Sequence, residues 1–205
     1  RKAIGDDIYL MVDANQAYNL YTAKKLLKKL AEFNILWFEE PLHYYDWNSY
    51  AELKKISPIA ISGGESLRTS SQFKDFLVNQ AYDIVQPDVA NVGGITEALK
   101  IAHWCETHYI DVVPHNPLGP INTAACTHLC MALTNVGVTE LTAKPGSVET
   151  EIFPSQMEWE NGYVFSNEKP GLGIEINEKK IKEYSGKKSK FPPVLRRNDG
   201  SFTNW

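Results

Sequence analysis

The sequence has too few cysteines, and an odd number of them, to build a disulfide framework: three in 205 residues. Cys105, Cys126 and Cys130 fall in predicted helices and read as buried free thiols in a reducing cytoplasm. No apolar run approaches the roughly 18 residues that a membrane-spanning helix requires, which argues against a membrane partner. No signal peptide is visible at the start. Positive charge is also in deficit. Lys and Arg number 21 against 25 Asp and Glu, for a net charge of −4, and no basic stripe offers a footprint for nucleic acid. The first residue is Arg rather than Met, so the expectation is that a segment has been removed or that the chain is a piece of a longer protein.

What is present is ordinary in bulk. Hydrophobic content of 43% and charged content of 22%, over this length, suit one substantial core. The organisation is more telling, because short apolar runs alternate with amphipathic stretches. Strands are predicted at Ile8–Asp13, Ile35–Glu39, Ile59–Gly63, Asp83–Gln86, Asp111–Pro114 and Val138–Leu141. Helices are predicted at Leu20–Phe33, Asn48–Ile56, Gln72–Leu77, Glu97–Thr107 and Asn122–Leu133. In the first helix Leu26, Leu27, Leu30 and Phe33 recur at helical spacing, and Lys24, Lys25, Lys28 and Lys29 form the wet face. Ser70 or Ser71 is the expected cap of the third helix and Thr96 that of the fourth.

Six strands alternating with helices imply a parallel sheet with right-handed crossovers. The repeat of about 25 residues favours a (β/α)8 barrel of the TIM type over an open sheet. Such a barrel needs eight strands, so the chain reads as a partial barrel with six of the eight. Residues 1–145 form this barrel portion and residues 146–205 a C-terminal segment. Within that segment Glu160-Asn161-Gly162 reads as a hairpin turn, and Lys187–Trp205 as a polar tail that wraps over other structure or frays.

Acidic residues stand at one fixed interval. Asp13, Glu39 and Glu65 are each 26 residues apart, and each follows a predicted strand. Asp88, His115 and Glu140 continue the register on the next three strands. Strand C-termini of a barrel share one rim, so all six side chains converge there. A carboxylate after a strand is often only a cap for the next helix, and each of the three alone would bear that reading. Three in register point instead to a hard, oxygen-rich site suited to Mg²⁺. Glu40 reads as a supporting group rather than a ligand. Asp88 can accept a hydrogen bond from His115, orienting the ring and favouring its protonated form. His43, His103, His108 and His128 read as ordinary helix or surface histidines. His128, two residues from both Cys126 and Cys130, points away from their shared face, which discounts a zinc site.

The stretches VDANQAY, WFEEPL, GGESL, DIVQPDVANVGG and PHNPLGP together resemble the enolase superfamily. They look like its mandelate racemase subgroup, and especially its acid-sugar dehydratases of the galactonate and gluconate type. The resemblance implies Asp13, Glu39 and Glu65 as Mg²⁺ ligands and His115 with Asp88 as a catalytic dyad. It implies that Glu140 joins that dyad as a catalytic residue, contacting the substrate carboxylate as an acid or hydrogen-bond donor, and that Asn15 faces the substrate. It further implies a small acid-sugar (aldonate) substrate and a homo-oligomer. Two departures stand out. The galactonate dehydratase pattern carries histidine where this chain has Asn15, which argues for a gluconate, fuconate, rhamnonate or racemase-like site. The family's basic Lys pair and N-terminal capping domain lie upstream of Asp13 and outside this sequence, and residues 146–205 are expected to pack on that capping domain.

The expected activity is abstraction of the proton α to a carboxylate and loss of the β-hydroxyl, giving a 2-keto-3-deoxy acid. A racemase or epimerase would use the same ligands with no leaving group. A third reading is a truncated, non-catalytic Mg²⁺-binding fragment, because a barrel short of two strands exposes two sheet edges and should be poorly stable alone.

Overall fold

The alternation of short apolar strands and amphipathic helices is realised in the computed structural model, which describes residues 1–184. The tail expected over 187–205 lies outside the described residues. Five strands, β1 (Val12–Asp13), β2 (Trp37–Glu39), β3 (Ala60–Gly63), β4 (Ile84–Val85) and β5 (Asp111–Val112), pair in sequence order. Every pairing is parallel, and Asp13 stands beside Glu39 in the register. Helices α1 (Leu20–Leu30), α2 (Trp47–Ile56), α3 (Ser70–Val78), α4 (Val89–Val92), α5 (Ile95–Thr107) and α6 (Pro120–Met131) lie between and after the strands. The antiparallel hairpin β6 (Glu158–Glu160) and β7 (Tyr163–Phe165) follows, then α7 (Glu178–Tyr184). No helix among the described residues is long and apolar enough to cross a membrane.

The predicted first strand shrinks to its last two residues. Ile8 and Tyr9 are exposed at the open edge, where no neighbour offers a ladder. The carbonyls of Gly5 and Ile8 bond instead to the Arg1 guanidinium, at 2.7 and 2.8 Å. The sixth predicted strand, Val138–Leu141, is not a strand. A single parallel bridge, Val112 with Val136, joins this stretch of chain to the sheet. Val112 N–H bonds Asn135 O at 2.8 Å, and Gly137 N–H bonds Val112 O at 3.2 Å. The next rung would need an N–H from residue 114, which is Pro, so the ladder stops there.

Helix ends also differ from expectation. Ser70 and Ser71 lie inside α3, after Thr69 at the cap position. The Ser70 N–H is satisfied from outside by Glu97 of α5, at 3.0 Å. Thr96 likewise lies inside α5. Gly93 and Gly94 both take positive φ, ending the unanticipated α4 and opening α5 one residue ahead of the expected cap. The α-helix of α1 ends at Leu30, and Phe33 is half-exposed in a following 3₁₀ turn rather than in the buried stripe. The hairpin turn forms as expected, with Asn161 at φ 50° and Gly162 at φ 85°, the left-handed pair of a two-residue loop.

The core lies between sheet and helices. Phe38, Ile61, Val85 and Val112 from successive strands are buried against Leu27, Leu53, Phe73, Leu77, Ile101, Cys105 and Leu129. Cys105 and Cys126 are buried free thiols and Cys130 is partly so. Burial pushes the Cys105 thiol up to about 12, which keeps it protonated and inert. Beneath β3, Phe76 stacks on Tyr82 with centroids 4.7 Å apart, and Tyr50 packs edge-on against both. A Cβ on Gly63 would lie 3.0 Å from the Tyr82 ring, so the close strand–ring approach needs glycine there.

Tyr50 also holds the loop after β2. Its hydroxyl donates to Leu42 O at 2.5 Å and accepts from Leu42 N–H at 3.3 Å. Tyr50→Phe strands both buried groups of Leu42. We expect a loss of about 1–3 kcal/mol in stability, read from denaturant midpoints of the full-length protein with the Tyr50→Phe change.

Candidate active site

Because all five strands run the same way, the residues just past their C-termini share one rim. Asp13 ends β1 and Glu39 ends β2. Glu65 lies two residues beyond β3, Asp88 and His115 three residues beyond β4 and β5, and Glu140 four beyond the Val136 bridge. The rim gathers the imidazole and two carboxylates directly. His115 Nδ1 is 2.9 Å from Asp88 Oδ2, and His115 Nε2 is 3.2 Å from Glu65 Oε2.

Asp88 has two tasks. Its Oδ1 accepts from Ala90 N–H (2.8 Å) and Asn91 N–H (3.0 Å), capping α4, while Oδ2 faces the imidazole. Burial would push its carboxyl up, but the His115 bond and the two backbone N–H groups outweigh this and hold it low. Burial likewise pulls the His115 imidazole down. The Asp88 hydrogen bond and the charges of Glu65 and Glu140 more than offset this, so His115 titrates above its ordinary value.

The carboxylates at the metal-type positions stand under mutual repulsion. Glu39 is pushed up first by burial and then by Asp13 and Glu140, against hydrogen bonds from Gln86 and Trp37. Glu65 is pushed up by burial and by Asp13, Glu39 and Glu140, against the attraction of His115. Among the described residues no lysine or arginine forms an ion pair with Asp13, Glu39, Glu40 or Glu65. Three hard oxygen donors with uncompensated charge suit a divalent cation. As the side chains stand, no three such groups among the described residues close on one point. Each is drawn to another partner: Asp13 Oδ1 to Asn15 N–H at 2.7 Å, Glu39 Oε2 to Trp37 Nε1–H at 2.9 Å, and Glu65 to His115.

Beneath them lies a layer of amides that sequence reasoning missed. Glu40 is fully buried, and burial with the Glu65 charge pushes its carboxyl up to about 7. Its Oε2 accepts from Gln16 Nε2 at 2.7 Å and its Oε1 from Gly64 N–H at 3.3 Å. Gln16 also reaches Ser66 Oγ at 3.0 Å, and its backbone N–H bonds Glu40 O at 2.6 Å. Asn15, Gln16 and Glu40 all take positive φ, at 40°, 65° and 33°, so this crossing holds three non-glycine residues in the left-handed region. Asn15 is thus held in a left-handed conformation, and its N–H donates to Asp13 Oδ1. On the opposite side, Asn116 bonds Glu140 through both main chain and side chain. The signal that could have found Gln16, Gln86 and Asn116 was an amide beside each acidic or imidazole position, in loops too polar to bury without partners.

The comparisons agree with this architecture. The family profile described as enolase C-terminal domain-like matches residues 1–180. A D-galactonate dehydratase of Verminephrobacter eiseniae is 32% identical over 212 residues, covering all of this chain and 56% of the relative. The chain therefore spans little more than half the length of the curated relatives it matches. The 3,6-anhydro-D-galactonate cycloisomerase of Zobellia galactanivorans superposes with a TM-score of 0.81 at 36% identity, over 89% of this chain and 52% of that one. The L-talarate dehydratase of Polaromonas sp. JS666, solved with Mg and L-glucarate, superposes with a TM-score of 0.75 at 32% identity, over 86% and 47%. With the strand-end carboxylates in place and nine-tenths of its length matched, the chain belongs to the enolase C-terminal domain-like family, as a partial (β/α)8 barrel.

Proposed function

We propose that this chain carries most of the active site of a Mg²⁺-dependent acid-sugar dehydratase acting on a 2,3-dihydroxy acid. The observation that carries the reading is the His115–Asp88 pair at 2.9 Å, set against a rim of uncompensated carboxylates. Asp13, Glu39 and Glu65 would hold the Mg²⁺, which when bound disperses negative charge on the substrate carboxylate and makes its α-proton acidic enough to remove. Relatives named as D-galactonate dehydratase and L-talarate dehydratase support the reaction class.

This chain's own groups carry one of the two proton transfers and the contacts to the substrate. Asp88 takes His115 Nδ1–H and so leaves Nε2 as the working nitrogen. Neutral, Nε2 accepts a proton from the α-carbon. Protonated, it delivers one to the β-hydroxyl, which departs as water. Substrate stereochemistry selects between the two roles, and the complementary proton transfer falls to the basic Lys pair that the family resemblance places upstream of Asp13. Glu140 hydrogen-bonds the substrate carboxylate, and Asn15, two residues past Asp13, faces the substrate chain. The enol left after elimination ketonises to the 2-keto-3-deoxy acid. Asn15 in place of histidine favours an aldonate other than galactonate.

The test is turnover of an aldonate panel by the full-length protein that contains this chain, with Mg²⁺ titrated in. Glu65→Gln should lower Mg²⁺-dependent turnover by about 10²-fold or more; turnover at the parent's level would remove Glu65 from the ligand set. His115→Asn should cost about 10²–10⁴-fold in turnover while calorimetry still registers Mg²⁺ binding. Undiminished turnover in that variant would take His115 out of the chemistry.

A further inference from the structure

The parallel ladder between β5 and the segment after it runs out at Pro114, yet Glu140, further along that segment, is held in place. The register explains how. Val112 pairs with Val136, and the same offset of 24 residues sets Asn116 opposite Glu140. At this position Asn116 is completely buried and spends its polar groups on closing the gap. Its N–H donates to Glu140 Oε2 at 2.6 Å, and its Nδ2 donates to Glu140 O at 2.9 Å. Nδ2 also donates to Thr123 Oγ1 at 3.1 Å, and Oδ1 accepts from Asn122 Nδ2 at 2.9 Å, which ties the residue to the first turn of α6.

We propose that Asn116 is the positioning residue of the site: it fastens Glu140, side chain and main chain together, to the peptide that carries His115. Its importance for turnover rests on the role proposed above for Glu140; its grip on the segment does not. The sheet supplies no rung here, because residue 114 has no N–H to give and 138–141 forms no strand. One amide replaces the missing rungs. It has the matching geometry, since a side-chain amide offers the same donor and acceptor as a peptide. The distance from the proton-moving imidazole to Glu140 is therefore set by adjacency in sequence on one side and, on the other, by the main-chain N–H and side-chain amide of one buried residue, of which the side chain holds the Glu140 main chain.

The experiment is segment-resolved amide hydrogen exchange on the full-length protein, comparing the parent, Asn116→Ala, Asn116→Ser and Thr123→Val. The serine variant keeps a polar atom in the buried space but stops short of the Glu140 carbonyl, and it serves if the alanine variant does not fold. Thr123→Val removes one of the two ties to α6 and leaves both bonds to Glu140. Exchange over 137–141 should rise by about tenfold in the Asn116 variants and stay at the parent's rate in Thr123→Val, with β2–β4 unchanged in all. Unchanged exchange over 137–141, or an equal rise throughout the sheet, overturns the proposal. A second readout is kcat on the substrate that the aldonate panel identifies. Asn116→Ala and Glu140→Gln should each lower kcat, and the double variant should be no worse than the more damaging single one. Additive losses overturn the coupling. If the parent turns over no member of the panel, the dehydratase reading loses its support, while the exchange result still decides whether Asn116 holds Glu140.

Discussion

Negative charge crowded at one edge of a parallel sheet is the constraint on which the rest depends. Same-direction pairing leaves no choice about where the residues after each strand go, and here they are Asp13, Glu39, Glu40, Glu65, Asp88 and Glu140. Partly buried carboxylates repel, and among the described residues the repulsion is met with neutral donors and one imidazole rather than with lysine or arginine. Backbone N–H groups serve Asp13 and Asp88, amides serve Glu39 and Glu40, an indole serves Glu39, and His115 bridges Glu65 and Asp88. Neutral donors orient the oxygens without cancelling their charge, so the rim keeps its demand for a cation. Folding into this arrangement costs stability, which is characteristic of a site rather than of a scaffold.

Most of the architecture was legible because two signals coincided. The short apolar runs marked strands, and the acidic residues at a constant spacing marked their ends. Neither signal depends on tertiary contacts, so both survive reading from one chain. What escaped was set by atoms far apart in sequence. Val138–Leu141 has strand composition, but its pairing depends on whether residue 114 can donate a hydrogen bond. Ser70 looked like a helix cap, but it lies inside α3 and its own N–H donates to Glu97 of another helix. The left-handed turn at Gly93–Gly94 decided the start of α5 against a plausible Thr96 cap. In the site, the charged and imidazole positions stood out and the amides that hold them did not. Gln16 and Asn116 carry no charge and obey no period; their value appears only when the buried groups they satisfy are known.

The two sides of the rim are organised differently. On the β1–β3 side the loops are locked by crossed backbone bonds, with Gln16 and Glu40 in left-handed conformations and bonded to each other. On the β5 side, proline removes the backbone option and side chains take over. One side is held mainly through main chain, the other mainly through a buried side-chain amide. Under the proposed chemistry the first holds the ion-binding carboxylates and the second holds His115 and Glu140.

The proposed ligand set has a thermodynamic meaning for the sheet. Asp13, Glu39 and Glu65 stand at or just past the ends of β1, β2 and β3, which neighbour one another in the sheet. Anything that binds across the three carboxylates ties those strands together a second time, and binding energy becomes sheet stability by mass action. Order at the strand ends and occupancy of the site then rise and fall together.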